Sequence, residues 1–501
     1  MDILANIQLG LATALQPQNL LYAFIGCFMG TLIGVLPGLG PLATISMLLP
    51  LTYALDPAAA LIMLAGIYYG AQYGGSTTAI MVNLPGESSS VVTAIDGYQL
   101  ARKGKAGTAL ATAALSSFLA GTIATIFIAV MAKPLADVAF KFGPSEYFAL
   151  MLVGLILATV LSNARLIESI GMVFLGVLVS TVGIDVNSGD ERFTFGVTAL
   201  FDGFDFVVIA MAIFGFAEIV KNLQESEDGK GTATPRITRL MPTLSELKAM
   251  VGPALRGTAL GSLLGVLPGG GAAIASFASY SLEKKMPNKG GEEFGKGALA
   301  GIAGPEAANN AAAQTSFIPL LTLGMPSNAV MALMVGAMMI HDIQPGPRVM
   351  TADPALFWGL IASMWAGNLM LVVLNLPLVG VWVKLLSVPY KLLYPSIMLL
   401  CCIGVYSLKN DSFEIYLAAF FCVAGYLLIS LDLPAPPLLL GFVLGPMLEE
   451  NLRRALLISR GDVSVLFASN ISIALYLVGA IAVLLMVAPS IRRKREIIAE
   501  D

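Results

Sequence analysis

Glu306, Asn309 and Asn310 stand at i, i+3 and i+4 in the run GPEAANNAAAQ, with Gln314 one turn further along. On a helix these side chains share one face. A carboxylate and three amides would then be presented together, among alanines and glycines that let other backbones come close. A carboxylate within a membrane segment costs on the order of 2.5 to 3.5 kcal/mol and by default marks a functional site. We read Glu306, Asn309 and Asn310 as candidates for holding a coupling ion, a proton or Na+. The competing reading is structural, with Glu306 bonded to a helix end or to the neighbouring asparagines. A second polar stripe, Tyr69, Gln72, Tyr73 and Ser76 with Thr77 beside it, has the same helical spacing. It is expected to face the interior, because on a lipid-facing surface it would be costly.

Four stretches cannot continue a regular helix, since proline lacks an N–H and glycine carries a large entropy cost. They are Pro37, Gly38, Gly40; Asn83, Pro85, Gly86 running into Glu87, Ser88, Ser89 and Ser90; Pro268, Gly269, Gly271; and Pro326, Ser327, Asn328. A broken helix within lipid is tolerable only where its freed backbone groups face protein or a water-filled cavity. A half-helix N-terminus presents unpaired N–H groups and about half a positive charge, which suits a carboxylate. Ends that present carbonyls, helped by Ser, Thr and Asn oxygens, suit Na+. We therefore expect Pro37, Gly38, Gly40, Asn83, Pro85, Gly86, Ser88, Pro268, Gly269, Gly271, Pro326, Ser327 and Asn328 to form a substrate-binding region. The plainer alternative is that the glycines only permit tight packing and the prolines only kink helices.

The elements that must position these breaks occur twice. Gly26–Gly40 reads GCFMGTLIGVLPGLG and Gly257–Gly271 reads GTALGSLLGVLPGGG, identical at nine of fifteen positions without a gap and 231 positions apart. Such self-similarity points to an internal duplication. Paired breaks in the two halves of a membrane protein point to a transporter's binding site. Glycines at 26, 30 and 34, and at 257, 261 and 265, fall on one helix face and predict close helix packing.

At 57% hydrophobic and 12% charged residues, the 501-residue chain has about half the charge usual for a soluble domain. It reads as an all-α polytopic membrane protein with about 11 to 14 membrane segments, re-entrant hairpins or broken helices among them. The duplication is expected to be an inverted repeat. We divide the chain into a first repeat half (1–220), a polar linker expected to be cytoplasmic (221–249), a second repeat core (250–350) and C-terminal scaffold spans (351–501). The basic cluster Arg492, Arg493, Lys494 and Arg495 follows the last apolar run, which predicts a cytoplasmic C-terminus by the positive-inside rule. No basic n-region or cleavage site precedes the first span, so no removable signal peptide is expected.

Residues 96–105, with Asp96, Arg102, Lys103 and Lys105, are expected to form a polar loop, with Glu87 and Asp96 near a membrane face. The three basic residues are read as orientation charges, with guidance of an anion as the alternative. Cys27, Cys401, Cys402 and Cys422 lie in apolar runs without C-x-x-C spacing and read as packing residues. Enzyme readings find little support. One histidine, His341, excludes an H-E-x-x-H zinc site, and neither a G-x-S-x-G elbow nor a phosphate-binding G-x-x-x-x-G-K-[ST] loop is present. No cofactor is expected beyond Na+ as a candidate coupling ion. A net charge of −4 gives no hint of a nucleic-acid partner.

The motifs GVLPGLGP, NLPGESSS with DGYQLARKGKAGTAL after it, GVLPGGGAAIASF, GPEAANNAAA, IPLLTLGMPSN and HDIQPGP resemble the large membrane subunit of the tripartite tricarboxylate transporters, the TctA family. They match in order over roughly residues 20 to 350. One departure is Met325-Pro326-Ser327-Asn328, where a Pro-Gly turn is expected. The resemblance implies a multi-pass protein of the bacterial inner membrane that works with a small membrane subunit and a periplasmic solute-binding protein. It further implies import of citrate or other carboxylates driven by an ion gradient, and by looser analogy an elevator-like movement. A carboxylate transporter or exporter needing no binding protein is the alternative. A scaffold or an intramembrane enzyme stands further off.

Overall fold

The computed structural model describes residues 3–162, 164–185, 188–225, 239–269, 271–286, 292–386 and 390–487. The basic cluster 492–495 and linker residues 226–238 lie outside them. The described chain is almost wholly helical. Its one sheet is a two-stranded pairing of Gly183–Ile184 with Glu191–Arg192. Among the described residues, five helical stretches are long and apolar enough to cross a membrane: Val91–Ala139, Phe206–Gln224, Leu244–Val266, Pro354–Asn375 and Ser412–Ser430. Shorter apolar helices, including Pro41–Thr52, Pro144–Val160, Leu166–Ser180 and Ala329–Ile340, surround them.

Two helices form the centre. Every residue of the Pro57–Val82 helix from Ala59 to Met81 is buried, and so is every residue of the Ala300–Thr315 helix from Gly301 onward. A helix buried on all sides needs a neighbour on every face, and the duplicated glycines supply one each. A Cβ added at Gly26, Gly30 or Gly34 of the Pro17–Gly34 helix would lie 2.2, 2.3 and 2.5 Å from the carbonyl oxygens of Met63, Ile67 and Ala71. At Gly257, Gly261 and Gly265 of the Leu244–Val266 helix the corresponding distances are 2.1, 2.2 and 2.4 Å, to Gly304, Ala308 and Ala312. Each glycine ladder thus sets its helix backbone to backbone against a central helix, where the packing gain comes from van der Waals contact.

Around this centre pack the Ala106–Ala139 and Pro354–Asn375 helices. One flank consists of Pro144–Leu161, Leu166–Ser180, Ala435–Ile458 and Asn470–Val487, and the other joins Phe206–Glu225 to Ser412–Ser430 and Tyr390–Lys409.

Residues 96–105 are not a loop. A helix runs over Val91–Leu100, widens through a π turn bent at Gly104 (φ +80°) and continues as Ala106–Ala139. Asp96 is fully buried within it and accepts hydrogen bonds from the backbone N–H groups of Gly295, Gly297 and Ala298 (2.9, 2.8 and 2.8 Å) and from the Tyr280 hydroxyl (2.9 Å). Four donors replace the water a carboxylate loses on burial. Asp96 thereby ties the first half to the segment that leads into the Ala300–Thr315 helix. Asp96→Ala is expected to destabilise the protein by about 3 kcal/mol, since each orphaned buried donor costs about 1–3 kcal/mol. Unfolding of the detergent-solubilised protein measures this, and an unchanged midpoint overturns it. Lys103 is held by Glu292 and by the Lys296 carbonyl, each at 2.8 Å, a structural role for one of the three orientation charges.

Candidate functional site

The four breaks have matching local geometry. The first turns at Gly38 (φ +80°) and the third at Gly269 (φ +75°), a left-handed conformation that only glycine adopts without strain. The second opens with Asn83 in the left-handed region (φ 59°, ψ 27°) and the fourth with Gly324 (φ 70°, ψ 17°). Each is followed two residues later by a proline, Pro85 or Pro326. Asn83 and Gly324 are 241 positions apart, as are Met63 and Gly304, Ile67 and Ala308, and Ala71 and Ala312 under the two glycine ladders.

After each break a helix begins: Pro41–Leu48, Val91–Leu100, Gly271–Lys285 and Ala329–Ile340. The tips lie against one another. The Gly269 N–H donates to the Ser327 carbonyl at 2.7 Å, and a Cβ on Gly40 would lie 3.0 Å from the Gly86 carbonyl oxygen. Between them is a cavity of about 610 Å³ lined by Gly40, Pro41, Ser88, Ser89, Gly269, Gly271, Asn328 and Ala329. Its wall also includes Tyr68, Glu87, Ala158, Asp432 and Pro434. The starts of three of the four helices line it directly, and Ser88 and Ser89 bring the wall to the start of the fourth, Val91–Leu100. First-turn N–H groups have no intrahelical partner, so a helix start attracts anions. At Ala329–Ile340 one such group, the Met331 N–H, is already capped by Asn328 Oδ1 at 2.9 Å. Among the described residues the wall carries no Lys, Arg or His, and two carboxylates, Glu87 and Asp432.

Of the expected substrate-binding residues, Gly40, Ser88, Gly269, Gly271 and Asn328 line the cavity. Pro37, Gly38, Asn83, Pro85, Gly86, Pro268, Pro326 and Ser327 do not, and instead shape the turns behind it. Gly38, for example, backs onto the Asn222 side chain. Glu87, expected near a membrane face, is on the wall. Asp432 and Pro434 come from the C-terminal part read as scaffold. Asp432, with φ 54°, and the following Leu-Pro-Ala-Pro-Pro form a further helix break, which was legible in the sequence but lay outside the duplication.

Behind the cavity the two central helices share a buried polar network. Gln72 Nε2 donates to Asn309 Oδ1 at 3.1 Å, and Asn309 Nδ2 donates to Glu87 at 3.2 Å, reaching the cavity wall. Glu306, 1% exposed, accepts from the hydroxyls of Ser76 (2.9 Å), Thr93 (2.5 Å) and Ser117 (3.4 Å). Asn310 Nδ2 donates to Ser117 at 2.7 Å, and the Thr125 hydroxyl to Gln314 at 2.8 Å. The three ion candidates therefore divide. Glu306 and Asn310 share Ser117, whereas Asn309 faces the cavity side. Among the described residues no three His, Cys, Asp or Glu side chains gather as a metal site.

A model of the tripartite tricarboxylate transporter TctA family matches residues 20–440. The chain belongs to that family. A protein of Agrobacterium vitis described as "Uncharacterized 52.8 kDa protein in TAR-I ttuC' 3'region" is 56% identical over 496 residues, 99% of this chain and 98% of its own. A second protein of that organism, "Uncharacterized protein in TAR-II ttuC' 3'region", is 58% identical over 242 residues, 48% of this chain and all of its own. No solved structure matches. This TctA-family chain is a polytopic helical membrane protein and not an enzyme, and its membership supports a role in tricarboxylate transport.

Proposed function

We propose that the chain is the large membrane subunit of a tripartite secondary transporter in a bacterial inner membrane. It receives a tricarboxylate such as citrate, or another carboxylate, from a periplasmic solute-binding protein, works beside a small membrane subunit, and is driven by a Na+ or H+ gradient. The observation that carries this reading is that the starts of three helices line one cavity, whose wall Ser88 and Ser89 extend toward the start of a fourth. At about half a positive charge each, these ends favour a carboxylate at their side of the cavity, while Glu87 and Asp432 make the rest of the wall acidic. Glu306, Asn309 and Asn310 are assigned to the coupling ion, with Asn309 linking their helix to Glu87 on the wall.

The equal packing of the two glycine ladders supports the duplication, which we take to be inverted, with one half moving against the other for alternating access. The linker 221–249 and the C-terminus are assigned to the cytoplasm, and 351–501 supplies scaffold spans together with the Asp432 segment of the wall.

Uptake of labelled citrate and other carboxylates tests the reading, in cells that express this chain with its small subunit, with and without the binding protein and a Na+ or proton gradient. Uptake is expected to need both. Flux without the binding protein favours a transporter or exporter that works alone, and no flux of any carboxylate overturns the proposal.

A further inference from the structure

Beside Glu306 the helices enclose a second, much smaller cell of about 10 Å³. That is close to one water-sized sphere. Its polar wall consists of Tyr73, Ser76, Thr77, Ser117, Glu306 and Asn375, brought together from the Pro57–Val82, Ala106–Ala139, Ala300–Thr315 and Pro354–Asn375 helices.

The hydrogen bonds around the cell leave acceptors and spend donors. The Ser76 and Ser117 hydroxyls donate to Glu306, the Thr77 hydroxyl donates to the Tyr73 carbonyl at 3.1 Å, and the Tyr73 hydroxyl donates to the Ala114 carbonyl at 3.4 Å. Asn375 is 4% exposed; its Nδ2 is spent on the Leu371 carbonyl at 3.0 Å, and its Oδ1 has no partner. A buried acceptor left alone is costly, and it lies on the wall of a void that it shares with a carboxylate. Three hydroxyls, of Ser76, Thr93 and Ser117, lie within hydrogen-bond distance of the Glu306 carboxyl, so its ionised form has partners ready. One negative charge and a shell of oxygens suit a hard monovalent cation, whereas a neutral molecule would leave the charge uncompensated.

We propose that this cell binds a single Na+-sized cation, with Glu306 supplying the charge and Asn375 Oδ1 and the Ser76 and Ser117 oxygens completing the shell. Because its wall draws on both duplicated halves, the bound cation holds them together. Its coupling to substrate, through the Glu306 helix to Asn309 and Glu87, rests on the transport reading above. The binding itself does not.

Binding of 22Na+ to the purified full-length protein in nanodiscs, at fixed ionic strength and pH, tests the site without transport. Saturable binding near one ion per chain is expected, displaced by Li+ more readily than by K+. Glu306→Gln, Asn375→Leu and Ser117→Ala should each weaken it at least tenfold, and size-exclusion profiles identify the variants that remain folded. No saturable binding, or binding that every folded variant retains, overturns the proposal. So does uptake of one proton that is lost in Glu306→Gln and indifferent to Na+. If Na+ binds as expected while no carboxylate is carried under any gradient, the transport reading fails and the cation site stands.

Discussion

Gly271→Leu is expected to reduce carboxylate uptake at least a hundredfold while the protein remains inserted in the membrane. Gly271 lies on the cavity wall, and a Cβ there would meet nothing closer than Asn328 Cβ at 4.0 Å. A leucine side chain therefore enters the cavity itself. The residue also has φ +51°, so the substitution adds local strain of about 1–3 kcal/mol at the start of a helix that lines the cavity. Displacement of the anion and misaiming of this helix start act in the same direction, because positioning errors of about 1 Å can cost on the order of a hundredfold. Gly171→Leu is the control: its Cβ meets nothing within 4 Å and it lies away from the cavity. Substrate-protected thermal stability together with uptake checks the result. A Gly271→Leu variant that transports normally removes the third break from the binding site.

Glu306→Gln is expected to have a comparably large effect on uptake, about a hundredfold or more, with little change in stability. The two consequences separate because opposing terms meet at this site. Removing the charge weakens acceptance from Ser76, Thr93 and Ser117, at about 1–3 kcal/mol for each donor left poorly paired. It also relieves the desolvation of a buried carboxylate, a penalty of several kcal/mol in the same range. Stability should therefore move little. Under the proposed cation-binding role no such compensation exists, because the cation is held by the charge. Uptake and the unfolding midpoint, measured on the same preparation, distinguish the roles: a fall in stability with transport intact would make Glu306 a structural acceptor only.

Much of this architecture is local and could be read directly. The fourfold glycine spacing states that a helix will approach another backbone, whatever its partner. The proline and glycine clusters state that a helix must stop, because a missing N–H and a left-handed φ are properties of the residue itself. The charge-poor composition states that the solvent is largely lipid. The helical spacing of Glu306, Asn310 and Gln314 likewise anticipated a shared face, which meets Ser117 and Thr125.

What the sequence left open depends on contacts between distant segments. The repeats are 231 positions apart at the glycine ladders and 241 at the central helices they meet, so a single offset could not reveal which helix each ladder packs against. Asp96 looked like a loop charge because burial of a carboxylate is decided by its donors, and those come from residues 295–298. Asn375 carries no local signal of a site, and the break at Asp432 stands outside the duplication. Asp432 joins the cavity and Asn375 the cell beside Glu306 only when the C-terminal helices fold back onto the duplicated core. Turns and helix faces follow from nearest-neighbour chemistry along the chain, whereas a cavity is a property of the side chains that packing brings to the same few ångströms.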